Sequence, residues 1–224
     1  MSELVDLTLT LGGERMTPVP GLLGVEIEPV HVHERDYRSN SRISMSIHLG
    51  THVDAPYHFV PGGATVDQVP LEQFTGTGIL IDLRGRWRRR ASIGPAELWG
   101  AGVGREQAMD RMAVLFTGWT ASESGSTRLY TDNPFLSPEA ARSLVEAKVR
   151  AVAVDFPVDQ SPGDAPPSPH QFPVHRILLG AGIPIIENLV NLDRLVGRQF
   201  ELWALPLKIH RGNGGATRAV ARLL

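Results

Sequence analysis

The stretch ISMSIHLGTHVDAPYHF, Ile43 to Phe59, holds His48, His52, Asp54 and His58 within eleven residues. Ile43, Met45, Ile47 and Leu49 fall on odd positions. Ser44, Ser46, His48, Gly50, His52, Asp54 and His58 fall on even ones. Alternation of this kind marks a strand with one buried face, so the odd positions are expected to pack inward and the even ones to share the opposite face. In a straight strand the Cα atoms of His48 and His52 would lie roughly 13 Å apart, near the limit for sharing one ion. Gly50 stands between them and permits a bulge or turn, so a strand over 42–50 is predicted to bend there. Pro56 then ends the strand. His58 emerges just beyond, near the ligands but out of line with them. Two imidazoles and a carboxylate on one rigid element resemble a metal site. The plain alternative is a solvated edge, but ligand types, glycine and proline all fit one coordination scheme.

Outward from this segment, further strands are predicted at 4–11, 25–33, 77–84, 112–119, 149–156, 183–189, 200–209 and 216–223. Helices are fewer. Ser137 as N-cap, Pro138 at the first helical position and Glu139 in the first turn start one over 137–148. Others are expected at 92–100, 173–182 and 189–197. The pattern describes a single mixed α/β domain over 1–224, rich in strands. The proline-rich stretch 157–173 reads as a long ordered loop, of the kind that walls functional sites.

Composition narrows the chemistry. The 224 residues carry 22 Lys and Arg against 24 Asp and Glu, a formal charge of −2, which gives no electrostatic reason to expect nucleic acid or a membrane as partner. No apolar run approaches a spanning helix, and the first residues lack a secretion signal, so a cytoplasmic address is expected. With no cysteine in the sequence, thiolate nucleophiles, cysteine-ligated zinc and iron–sulfur clusters are excluded. Any metal must be held by histidine and carboxylate.

The segment HLGTHVDAPYHF (48–59) resembles the signature of the bacterial kynurenine formamidase and cyclase family of metal-dependent hydrolases. VHRILLGAGIPIIENL (174–189), with His175 and Glu187, is similar to a second segment of that family, and LVDLTLTL (4–11) and WALPLKI (203–209) also fit. The resemblance implies two divalent ions. His48, His52 and Asp54 would bind one; Asp54, His175 and Glu187 would bind the other, with Asp54 bridging. It implies His58 as catalytic acid/base, a swivelling β/β/α fold and a homodimer or homotetramer. Nitrogen and oxygen donors suit Zn²⁺, with Mn²⁺ the alternative. The expected reaction is hydrolysis of a small-molecule amide by metal-activated hydroxide. N-formylkynurenine is the leading substrate, which would place the enzyme in tryptophan catabolism. A cyclic amide of the isatin type, a lactone, or a cyclisation in secondary metabolism are alternatives, as is a non-catalytic metal-binding sensor or scaffold.

Several features fall outside these motifs. RGRWRRR (84–90) reads as a solvated loop, with an anion or partner contact as the sharper option. Trp119 is a candidate wall for an aromatic substrate, or core. Asp155 could orient a ligand or cap a loop. His31, His33, His170 and His210 are expected at the surface. Many family members carry a Trp-Pro-Gly-Asp run near the N-terminus, where this chain reads TPVPGLLG (17–24). KIHRGNGGATRAV (208–220) is also unusual.

Overall fold

A computed structural model describes residues 3–163, 165–166 and 168–224. Among them the strands are β1 (Leu4–Asp6), β2 (Glu26–His31), β3 (Asn40–Ser44), β4 (His52–Asp54), β5 (Thr75–Asp82), β6 (Ser92–Ile93) and β7 (Met112–Phe116). They continue with β8 (Phe135–Leu136), β9 (Ala151–Val154), β10 (Ile185–Glu187), β11 (Phe200–Trp203), β12 (Gly214–Ala216) and β13 (Val220–Leu223). Nine of them form one sheet in the order β1-β13-β11-β5-β7-β9-β10-β4-β12. Its centre, β5 to β10, is parallel, and both flanks are antiparallel.

Chain connectivity forces this sheet to curl. β13 and β12 stand seven places apart in the order, which in a flat sheet would be about 34 Å at the usual strand spacing. Only Thr217, Arg218 and Ala219 join them, and four Cα steps reach at most about 14 Å. The two ends therefore meet. Leu7 N–H donates to Ala219 O, Val190 N–H to Leu7 O and Leu9 N–H to Thr51 Oγ1, stitching the closure.

Successive residues of the central strands serve two cores. Met112, Val114, Ala151, Ala153 and Ile186 face the interior of the curl, with Val5, Val53, Phe200 and Leu202. Ala113, Leu115, Val152, Val154 and Ile185 face outward under Leu98, Ala140, Leu144, Val174 and Leu178. Those last residues belong to the helices Pro95–Trp99, Pro138–Glu146 and Pro173–Gly180. The mixed α/β architecture agrees with the sequence reading, including Ser137 as N-cap, whose side chain accepts from Ala140 N–H.

Three readings are corrected. The strand over 42–50 ends at Ser44, where β3 loses its partner β2; residues 47–51 bend instead. Ile43 is exposed and Met45 and Ile47 only half-buried, so the alternation reflects an exposed hairpin rather than a core face. The predicted bend at Gly50 is present, with φ +65°. Second, 216–223 splits into β12 and β13 because its middle is the crossing that closes the sheet. Third, 189–197 contains a short 3-10 turn, Leu192–Leu195, rather than an α-helix.

Candidate metal centre

Register alone assembles half of the centre. His52 and Asp54 are two apart on β4 and share a face, the one opposite Val53. On β10, Glu187 lies directly across from His52. That face looks toward the helix Pro173–Gly180, which contributes His175 from its first turn. His48 arrives from the bend before β4, so the 13 Å limit of a straight strand does not apply to it.

The atoms converge. Asp54 Oδ1 lies 2.5 Å from His48 Nδ1 and 3.3 Å from His52 Nε2, while its Oδ2 lies 3.3 Å from His175 Nε2. Glu187 turns Oε2 toward His52 Nε2 at 3.9 Å and Oε1 toward His175 Nε2 at 3.8 Å. Asp54 thus faces two histidines with one oxygen and a third with the other. His52, Asp54, His175 and Glu187 are all buried.

Neighbouring groups set which ring nitrogen each histidine presents. His52 Nδ1 donates to Gly50 O at 2.8 Å, made reachable by the left-handed turn at Gly50. His175 Nδ1 lies 2.7 Å from Asp159 Oδ2. A carbonyl and a carboxylate accept, so both rings carry the proton on Nδ1 and point Nε2 into the centre. Asp159 also accepts from the Val174 and His175 N–H groups and so caps the helix that carries His175. Glu187 Oε1 accepts from Val158 N–H. Nothing in the linear pattern marks Asp159 or Asn213, whose Oδ1 lies 3.1 Å from His48 Nε2.

The electrostatics are those of a site that exchanges protons for cations. Burial disfavours a charged His52, but Asp54 and Glu187 outweigh it and push its pKa up to about 9. For His175 burial is likewise overcome, by Asp159, Asp54 and Glu187, and the pKa rises to about 10. Burial and Asp54 raise Glu187. Asp54 itself is held well below the carboxylate range: burial opposes this, and His52 and His48 prevail. Asp54 Oδ2 is buried and takes no hydrogen bond. An unpaired buried carboxylate oxygen is costly, and a cation shared with His175 and Glu187 satisfies it. The donor set therefore fits a divalent ion.

His58, on the 3-10 turn Pro56–His58, stacks on His48 with ring centroids 3.7 Å apart and 14° between planes. Burial, reinforced by His48, His175 and His52 against the pull of Asp54, lowers its pKa to about 3. The ring is therefore uncharged at neutral pH beside the cluster. Phe59 and Phe172 pack beside His58 and His175 as an aromatic wall, with the Arg176 guanidinium 5.3 Å over the Phe59 ring.

Trp119 is not part of that wall. It is wholly buried in the core and donates Nε1–H to Leu129 O. Asp155 accepts from Thr117 and Gly118 and touches no ligand, so loop capping is its role. In 84–90, Arg84, Arg89 and Arg90 pair with Asp82, Glu123 and Asp132, in keeping with a solvated loop. His33 and His170 are exposed, as expected. Among the described residues, no helix is long and apolar enough to cross a membrane.

Comparison with known proteins agrees with the geometry. The family model described as "Putative cyclase" matches residues 5–159. A kynurenine formamidase of Bacillus cytotoxicus is 32% identical over 225 aligned positions, covering 100% of this chain and 99% of the relative. Isatin hydrolase A from Labrenzia aggregata, solved with benzyl benzoate, is 28% identical, with a TM-score of 0.79 over 99% of this chain and 93% of its own. Isatin hydrolase A from Ralstonia solanacearum is 25% identical, with a TM-score of 0.84 over 100% and 92%. By family model and full-length identity together, the chain belongs to the cyclase family.

Proposed function

We propose that this protein is a metal-dependent hydrolase of small-molecule amides, acting on N-formylkynurenine as an arylformamidase. One observation carries the reading: a single buried carboxylate, Asp54, turns one oxygen to His48 and His52 and the other to His175. His48, His52 and Asp54 would hold one ion and Asp54, His175 and Glu187 the second, with zinc favoured over manganese by the three imidazole donors. A bound divalent ion supplies a Lewis acid and lowers the pKa of water from 15.7 toward about 7. The chain's own residues do the rest. His58, neutral and adjacent, accepts a proton from the attacking water and passes it to the departing nitrogen. Such relay matters for an arylamine, whose anion is a poor leaving group. Phe59 and Phe172 offer ring faces to the aryl group.

A second reading, hydrolysis of an isatin-type cyclic amide, is favoured by the likeness to the isatin hydrolases across the whole chain. Assay of the zinc-loaded protein with formylkynurenine, isatin and a simple lactone separates these. Formylkynurenine is expected to turn over fastest; isatin turning over fastest favours the second reading, and metal binding without turnover of any of the three overturns the hydrolase assignment.

The pH dependence of loading follows from the two raised histidines. In the metal-free protein His52 and His175 keep their protons up to about pH 9 and about pH 10. Loading at neutral pH must expel those protons, so apparent affinity rises with pH and levels off above about 10. Calorimetry in buffers of different ionisation enthalpy is expected to register proton release at pH 7; a pH-independent affinity contradicts this.

We further propose a cytoplasmic enzyme that assembles as a homodimer or homotetramer. Support comes from the β2–β3 hairpin, where Ile27, Val30, Tyr37 and Ile43 expose apolar surface to solvent. Light scattering is expected to give two or four times the subunit mass; a monomer overturns the assembly.

A further inference from the structure

The unusual stretch KIHRGNGGATRAV (208–220) contains HRGNGG, His210 to Gly215, which runs beside β4. Gly212 O accepts from Val66 N–H at 2.8 Å and Asn213 O from Ala55 N–H at 3.0 Å, which moors the segment along the outer edge of β4. β12 then pairs with β4 so that Gly214 lies directly across from Asp54. A Cβ on Gly214 would stand 2.4 Å from Val53 O and 2.9 Å from His48 Cε1. The His48 ring thus lies against bare backbone where any side chain would displace it. His58 stacks on the same ring. The ring is thus bounded by the Gly214 backbone and by the face of His58.

The two nitrogens meet different partners: Asn213 Oδ1 at 3.1 Å from Nε2, and Asp54 Oδ1 at 2.5 Å from Nδ1. An amide oxygen only accepts, so Nε2 must carry the hydrogen it faces. At 2.5 Å the Nδ1 contact is a hydrogen bond, and an ion held by both residues would take the place of its hydrogen.

We infer that Asn213 is a positioning residue that fixes the proton of His48 on Nε2, so that His48 meets its ion through Nδ1 while His52 and His175 use Nε2. Asn213 does for His48 what the Gly50 carbonyl and Asp159 do for the other two, but from the opposite side of the ring. The inference rests on the reading that these residues hold divalent ions, and its test separates the two. Zinc is diamagnetic, so long-range ¹H–¹⁵N spectra of the zinc-loaded protein, labelled at histidine, report which nitrogen of each ring is protonated and which is bound.

The expected pattern is Nε2–H with bound Nδ1 for His48, and the reverse for His52 and His175. Asn213→Ala is expected to weaken zinc binding about 10–100-fold in competition titrations, while Asn213→Asp, which keeps the acceptor, restores it. Thermal melting of the metal-free variants distinguishes this from misfolding; should Asn213→Ala fail to fold, the wild-type spectrum and Asn213→Asp still decide. Bound Nε2 in His48, or an unaltered zinc affinity in folded Asn213→Ala, overturns the inference and leaves the metal-site reading intact. Wild-type protein that binds no zinc overturns both.

Discussion

His58→Ala is expected to keep its full complement of metal and to lose turnover by about 10²–10⁴-fold, the usual worth of one positioned acid/base group. The prediction discriminates because geometry permits another role. One nitrogen of His58 lies within ligand-sharing distance of His48 and Asp54, as a metal ligand would. One observation favours proton transfer over coordination: the ring is stacked flat on His48 and has, among the described residues, no hydrogen-bonded carboxylate or carbonyl that fixes a tautomer, unlike His52 and His175. Its pKa, pushed down by burial to about 3, leaves it uncharged at neutral pH, as either role requires. Metal analysis beside steady-state rates checks the division: equal metal loss in His58→Ala and His52→Ala would make His58 a ligand.

Asp54→Asn is expected to abolish loading of both ions and to bring hydrolysis down to the uncatalysed rate. Its carboxylate is the single group facing His48, His52 and His175 together. An amide in its place supplies a neutral oxygen and an N–H group, so one half of the bridge becomes a donor aimed at other donors. Asp54→Ala should be worse for folding, since it leaves His52 and His175 facing a buried void without the carboxylate that offsets the cost of their burial. Breaking a buried charge pair by removing one partner costs about 3–5 kcal/mol. Zinc stoichiometry of Asp54→Asn and urea unfolding of chelated Asp54→Ala test the two statements. Retention of one tightly held ion in Asp54→Asn would show that the two donor sets are separable, and would end the bridging role.

The site was more legible in the sequence than the path of the chain into it. His52 and Asp54 could be placed on one face because strand periodicity is local, and Gly50 announced its turn because few other residues adopt positive φ. What alternation could not reveal is whether a strand has a partner. Residues 45–51 carry a strand's pattern yet run unpaired between hairpin and sheet. Likewise, 216–223 reads as one strand because each half has strand character; only the closure of the sheet requires a break at 217–219. Asp159 and Asn213 left no trace: Asp159 caps the helix of His175 across the proline-rich loop, and Asn213 meets His48 from 165 residues away. His175 and Glu187 were reachable only through resemblance to the family, as their approach to β4 spans more than a hundred residues of chain.

The pairing of β12 with β4 has a consequence for refolding. Asp54 and its partner Gly214 are about 160 residues apart in the chain. Contacts of such long sequence separation are slow to form and leave partly built sheets open to misassociation. Closure of the seam beside His48 is therefore expected to be a late step of refolding from denaturant, with zinc binding recovered only once it has closed.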